Sequence, residues 1–188
     1  MNRDEIIERA LTIVEADGAD ELSMRGLARD LGVSAPALYE HIESRDDLLR
    51  AIAQHGYGEL GARWEEIDGT ATEWLLATGR AYVAFAVDHP ALFTLMHRFS
   101  PGAILGDPGI EHPAATALFD EGLNHVRAAI EAGELRPDDP LDIAFALWAA
   151  AHGVATVSIM IPGTDDATDL ADRVIGGLLA GLRPEDRS

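Results

Sequence analysis

Apolar positions recur along this chain at intervals of three and four residues almost throughout, and no stretch shows the alternating β-branched pattern of a half-buried strand. Ile6, Ile7, Ala10, Leu11, Ile13 and Val14 form one stripe that Gly18 closes, which predicts a first helix. Ser23 is a good N-cap for a short helix through about Asp30, with Met24, Leu27, Ala28 and Leu31 facing inward. Gly32 supplies a tight turn, and Ser34 opens a third short helix whose first turn holds Pro36, where a missing amide proton costs nothing. Ser44 with Asp47 resembles a capping box and starts a long fourth helix carrying Leu48, Leu49, Ile52, Tyr57, Leu60 and Trp64. Further helices are predicted over 72–87, 91–99, 114–132, 141–161 and 167–182. His89-Pro90, a glycine- and proline-rich loop at 100–113, Pro137, Pro140 and Pro162-Gly163-Thr164 separate them. The fold class this predicts is all-α, with about nine helices.

Composition narrows the function. Hydrophobic residues make up 47% of the 188, enough for a sizeable core. With no cysteine, thiol chemistry, disulfides and cysteine-ligated metals are excluded. The charged N-terminus has no uninterrupted apolar stretch of the secretory kind, and the apolar run at 143–162 reads as an alanine-rich core helix. A cytoplasmic protein with no membrane partner is expected. No phosphate-cradling glycine loop, nucleophile elbow or assembled metal motif is present. Glu121 and His125 share a helix face, but two ligands do not make a metal site. The reading is therefore not an enzyme, with no catalytic residues, cofactor or metal.

Net charge is −19, and residues 1–47 alone hold twelve acids against five arginines, a balance of −7. Nucleic-acid binders usually present a basic face, so the placement of the arginines decides more than the total. Every basic residue here is arginine, the side chain best suited to bidentate phosphate and guanine contacts.

Residues 23–49, SMRGLARDLGVSAPALYEHIESRDDLL, have the dimensions of a helix-turn-helix. Ala35, Pro36 and Ala37 stay close to the axis of the second helix, so its backbone can approach base edges and thymine methyls in a major groove. Ser34 adds a hydroxyl and free amide protons for a phosphate. Tyr39 and His41 lie near the end of that helix, within reach of one strand's backbone. A helix-turn-helix can also be a plain packing unit, and a tyrosine can bury its ring there.

Over residues 3–52 the chain resembles the tetracycline-repressor-like (TetR) family of bacterial transcriptional regulators. Gly18, Ser23, Leu27, Ala28, Gly32, Val33, Leu38, Tyr39 and Leu48-Leu49 carry the likeness. The resemblance implies that residues 1–47 form a three-helix DNA-binding domain and residues 48–188 a helical ligand-binding and dimerisation domain. It implies DNA contacts from Ser34, Ala35, Pro36, Ala37, Tyr39 and His41, a base-reading Arg25, and a phosphate contact from Arg45. Ile42 departs from the family's usual aromatic. The partners implied are a double-stranded DNA operator, a small apolar ligand and a second copy of the chain. The protein would be a repressor released from its operator by that ligand, with the fourth helix as lever. The rival reading is a helical small-molecule or protein adaptor without DNA affinity, which the acidic headpiece favours.

Two half-sites one helical turn apart, about 34–36 Å, require a dimer. Leu147, Ala151 and Ala155 on one late helix and Leu170, Val174, Leu178 and Leu182 on the last are its expected interface; the alternative is that these faces close the monomer core. HPALFTLMH at 89–97 and WAAAHGV at 148–154 resemble the sub-branch named for a tryptophan and a histidine-glycine pair, here Trp148, His152 and Gly153. A ligand cavity is expected to be lined by Phe85, Phe93, Met96, Phe99, Trp148, His152 and Met160, against the plainer reading that this stripe is core and His152 an interior, hydrogen-bonded histidine.

Overall fold

The computed structural model of the chain describes residues 1–98, 113–161 and 167–184. Among these residues every regular element is helical, and there are nine helices when the C-terminal run is taken as one. Helix α1, Arg3–Asp17, begins in a reciprocal capping box between Asn2 and Glu5 and ends at Gly18, whose φ of 89° suits glycine. A single 3₁₀ turn, Ala19–Glu21, follows. Helix α2, Met24–Asp30, is capped by the Ser23 hydroxyl, which accepts from the Gly26 amide at 3.1 Å. Gly32, at φ 69°, turns the chain while the Val33 amide donates back to the Ala28 carbonyl at 2.9 Å. Helix α3, Ala35–Tyr39, is five residues long, and the Ser34 hydroxyl at its start makes no cap bond. Helix α4, Arg45–Trp64, opens with the Asp47 amide on the Ser44 hydroxyl at 3.0 Å, and the reciprocal carboxylate bond goes to the Glu43 amide.

Helices α5, Ala71–Asp88, and α6, Pro90–Arg98, are separated only by the break before Pro90. Helix α7, Pro113–Glu131, and helix α8, Pro140–Met160, follow, the latter capped by the Asp139 carboxylate. The final run, α9 (residues 167–181), was expected as one regular helix. It contains a π turn at Asp172–Gly176 between Ala167–Ala171 and Gly177–Gly181. The expected loop at 100–113, apart from its last residue, and the Pro162-Gly163-Thr164 break lie outside the described residues.

The chain divides into two compact units, residues 1–59 with 89–115 and residues 60–88 with 116–188. In the first, Ile6, Ala10, Val14, Leu27, Leu38, Ile42, Leu48, Leu49 and Ile52 form the buried centre. Helix α6 packs on α1 and the 3₁₀ turn. It is held there by His89 to Glu15 at 2.6 Å and Arg98 to Asp20 at 3.3 Å. Against α4 it closes tightly, since a Cβ added at Gly56 would stand 2.7 Å from the Met96 sulfur. In the second unit α5 is the central helix, packed along α8 and against α9. A Cβ at Gly79 would lie 2.6 Å from Ile175, and Arg80 pairs with Asp172, so both of these links from α5 to α9 fall in the π turn.

Candidate functional site

Helix α3 shows why so short an element holds its shape. Five residues cannot sustain a helix by backbone bonding alone, and Leu38 and Ile42, both essentially fully buried, tie it to the first unit. Ile42 thus fills a core position. The other positions face out. Ser34, Pro36, Glu40 and His41 are exposed, Tyr39 is 52% exposed, and Ala35 and Ala37 are half-buried. Arg25 on α2 is exposed as well. The result is a short convex edge with small groups at its start and a phenol, an imidazole and a hydroxyl around it.

Arg45 sits differently. Its Nε donates to the Leu22 carbonyl at 2.8 Å, and one Nη donates to the Ala19 carbonyl at 2.5 Å and more loosely to that of Asp20. The guanidinium therefore closes the carbonyl end of the 3₁₀ turn and anchors the start of α4. Nothing in the local pattern predicts this, because the carbonyls come from 23 to 26 residues upstream. Asp47 beside it is held by Arg3 at 3.0 Å.

The residues expected around a ligand are divided. Phe93 and Met96 are buried in the first unit. Helix α6, which carries them, also receives the Tyr57 hydroxyl on the Met96 carbonyl at 3.3 Å. Phe85, Trp148, His152 and Met160 belong to the second unit. Phe85 is wholly buried with the Arg63 guanidinium 5.0 Å above its ring. His152 stacks on Trp148 at 5.6 Å, and its Nδ1 lies 3.0 Å from the hydroxyl of buried Tyr82. Met160 is 73% exposed at the end of α8 and lines no interior of the single chain, because helix rotation carries position 160 away from α5. Phe99 lies outside the described residues. The sequence reading missed Tyr82, and also the Phe119–Phe145 pair at 5.0 Å, both of whose rings are half-buried. Phe145, Trp148 and His152 follow at i, i+3 and i+7 along α8, a spacing that was legible. His125 lies flat on Trp74 at 3.6 Å, and its Nδ1 is 3.1 Å from the Glu121 backbone carbonyl. The Glu121–His125 spacing therefore meets through the backbone and not through the carboxylate.

Burial pushes the His152 imidazole below its ordinary value, because removing the ring from water disfavours the cation. A base whose folded pKa is depressed contributes stability above its unfolded value of about 6.5, and that contribution is lost as the pH falls towards the folded value. Thermal melts of the protein between neutral and mildly acidic pH should show this loss, and His152→Asn should flatten it. An identical acid profile in the two proteins would exclude His152 as the source.

The interface residues also separate. Leu147, Ala151 and Ala155 on α8 and Leu182 after α9 are buried within the chain itself, since α8 turns this side towards α5. What α8 leaves outside is Ala146, Ala149, Gly153, Val157 and Met160, all exposed and all on one stripe. On α9 Val174 is exposed and Leu170 and Leu178 are half-buried, with Gly177 and Gly181 exposed among them. Helix α8 is also long and apolar enough to cross a membrane by length and composition. One such helix is weak grounds for a membrane span, and a core helix with an apolar outer face passes the same test.

The chain is similar to known proteins over nearly its whole length. Residues 6–52 match the bacterial regulatory proteins of the tetR family, and residues 75–183 match the tetracyclin repressor-like C-terminal domain. An uncharacterized HTH-type transcriptional regulator of Mycobacterium tuberculosis is 26% identical over 185 residues, covering 95% of this chain and 82% of its own. A solved protein of unknown function from Rhodococcus sp. RHA1 is 32% identical, with a TM-score of 0.84 over 97% of this chain and 95% of that one. The transcriptional regulator FadR of Bacillus subtilis, solved in complex with stearoyl-CoA, shares the fold at a TM-score of 0.77 and 18% identity, over 96% and 99% of the two chains.

Proposed function

This chain belongs to the tetR family of bacterial regulatory proteins, and from that premise we propose that it is a homodimeric repressor that releases a double-stranded operator on binding a small apolar molecule. The observation that carries the reading is the outer edge of α3. Ser34, Pro36, Tyr39 and His41 are solvent-facing while Leu38, and Ile42 just beyond the helix, are buried. That edge suits a major groove, where Ala35, Pro36 and Ala37 let the backbone come close and Arg25 reaches a base from α2. Residues 1–47 act as the DNA-binding part and residues 48–188 as the regulatory part.

Dimerisation uses the outer stripe of α8, Ala146, Ala149, Gly153, Val157 and Met160, with Leu170, Val174 and Leu178 of α9. An apolar two-helix face of this kind is what an intersubunit four-helix bundle buries. The ligand-facing chemistry comes from the Tyr82–His152–Trp148 group with Phe119 and Phe145. These are apolar rings with one hydrogen-bonding pair for orientation, and FadR supplies a precedent for an acyl ligand in this fold. Helix α4 contributes residues to both compact units, which supports its role as the lever. A ligand shifts the operator equilibrium only by its differential affinity for the two states.

The acidic balance of residues 1–47 favours one alternative, an adaptor without DNA affinity. The test is selection of duplexes from a random library by the full chain, followed by binding titrations. Tyr39→Phe removes a hydroxyl from a backbone contact and should weaken every duplex alike, by roughly 1 kcal/mol or five-fold. Pro36→Ser and Arg25→Ala should change which duplexes are selected. Enrichment of no duplex by a folded chain would favour the adaptor.

A further inference from the structure

The arginines of the acidic headpiece are not equivalent. Arg3 is paired with Asp47 at 3.0 Å, Arg9 with Asp30 at 3.2 Å, and Arg45 is bound to backbone carbonyls. Three of the five cations in residues 1–47 are thus engaged inside the protein. The other two, Arg25 and Arg29, stand four residues apart on α2 and so share one side of it. Arg29 has its side chain 82% exposed. Its one ion-pair contact among the described residues is a loose 3.9 Å to Asp30, whose carboxylate Arg9 already holds more closely. Arg25 has no ion pair or hydrogen bond among the described residues. Around α3 the exposed charges that follow are acidic: Glu40, Glu43 and Asp46.

We propose that Arg29, beside the base-reading Arg25, is the cationic contact of this headpiece with the DNA sugar–phosphate backbone, and that Arg3, Arg9 and Arg45 supply none. The proposal rests on the operator-binding reading above and adds to it a contact outside the α3 edge. Arg29 is long, unencumbered and beside a base-reading position, and a phosphate offers its guanidinium the bidentate partner that Asp30 does not. The consequence is a shallow salt dependence. Each neutralised phosphate adds about −0.9 to the slope of log K against log salt, so two headpieces with one such arginine each give about −1.8. Screening of the repulsion from Glu40, Glu43 and Asp46 as salt rises flattens the slope further.

The experiment titrates the full chain against the duplex it selects from a random library, between about 50 and 200 mM salt. Arg29→Ala should make the slope less negative by about 1.8 for the dimer, Arg29→Lys should leave it in place because the charge remains, and Arg3→Gln should not shift it. An unaltered slope in Arg29→Ala, or an equal shift in Arg3→Gln, overturns the assignment of Arg29 while leaving operator binding intact. A folded dimer that selects no duplex even at low salt overturns the operator-binding reading, and this inference with it.

Discussion

Gly153→Arg is expected to leave the single chain folded, separate the dimer, and lower affinity for a two-half-site duplex by about 10²- to 10⁴-fold, the advantage that a linked second site confers. A glycine inside a helix costs about 1 kcal/mol relative to alanine. Gly153 sits mid-way along α8, and a Cβ placed there meets nothing within 4 Å. The same openness holds at Gly177 and Gly181 on α9. Packing among the described residues therefore requires no glycine at these positions, whereas the close approach of a partner's helix proposed above would. Arginine at an exposed helical site is a better helix former than glycine, so the monomer loses nothing. In the proposed dimer it would place a charge in the middle of an apolar face formed by Ala149, Val157 and Met160. Sedimentation velocity reads the first effect and a binding titration the second. A variant that sediments as a dimer and binds as before would show that the subunits meet elsewhere.

Leu38→Ala is the second large effect, and it acts within the first unit. The side chain is fully buried, and truncating a buried leucine costs about 2–5 kcal/mol, a large part of the roughly 5–15 kcal/mol that stabilises a typical domain. The loss falls on α3, where Leu38 is the one buried side chain among the described residues. Amide exchange should accelerate first at 35–39 and DNA binding should fall even where most of the chain stays folded. Tyr39→Ala next to it is the contrast, since an exposed substitution changes stability by about 0.5 kcal/mol or less while removing the proposed DNA contact. Should Leu38→Ala melt like the unaltered protein, α3 would have to be held by something other than its apolar side.

The short helices illustrate what can be read from residues alone. Ser23, Gly32 and Pro36 mark the boundaries of α2 and α3 because capping, a positive φ and a missing amide proton act within a turn of the residue concerned. The exposure of Tyr39 and the burial of Leu38 follow from the same periodicity. The Asn2–Glu5 capping box is equally local and was open to the same reading. By contrast, the family resemblance implies a phosphate contact for Arg45, and only the folded chain brings the carbonyls of Ala19 and Leu22 to its guanidinium. The His125 stack on Trp74 and the Tyr82–His152 bond likewise join residues about fifty and seventy positions apart.

Helix α8 marks the division most clearly. Its sequence is apolar nearly all round, so periodicity establishes that a helix forms there without saying which side faces the core. Leu147, Ala151 and Ala155 went inward and Ala149, Gly153 and Val157 outward because α5 and α9 supply the matching surface for one side only. Helix type, turn position and the edge of α3 are decided by interactions spanning about four residues, which a linear sequence displays directly. The facing of α8, the partner of Arg45 and the placement of Phe93 and Met96 with the first unit depend on contacts between distant segments, and those exist only once the chain has packed.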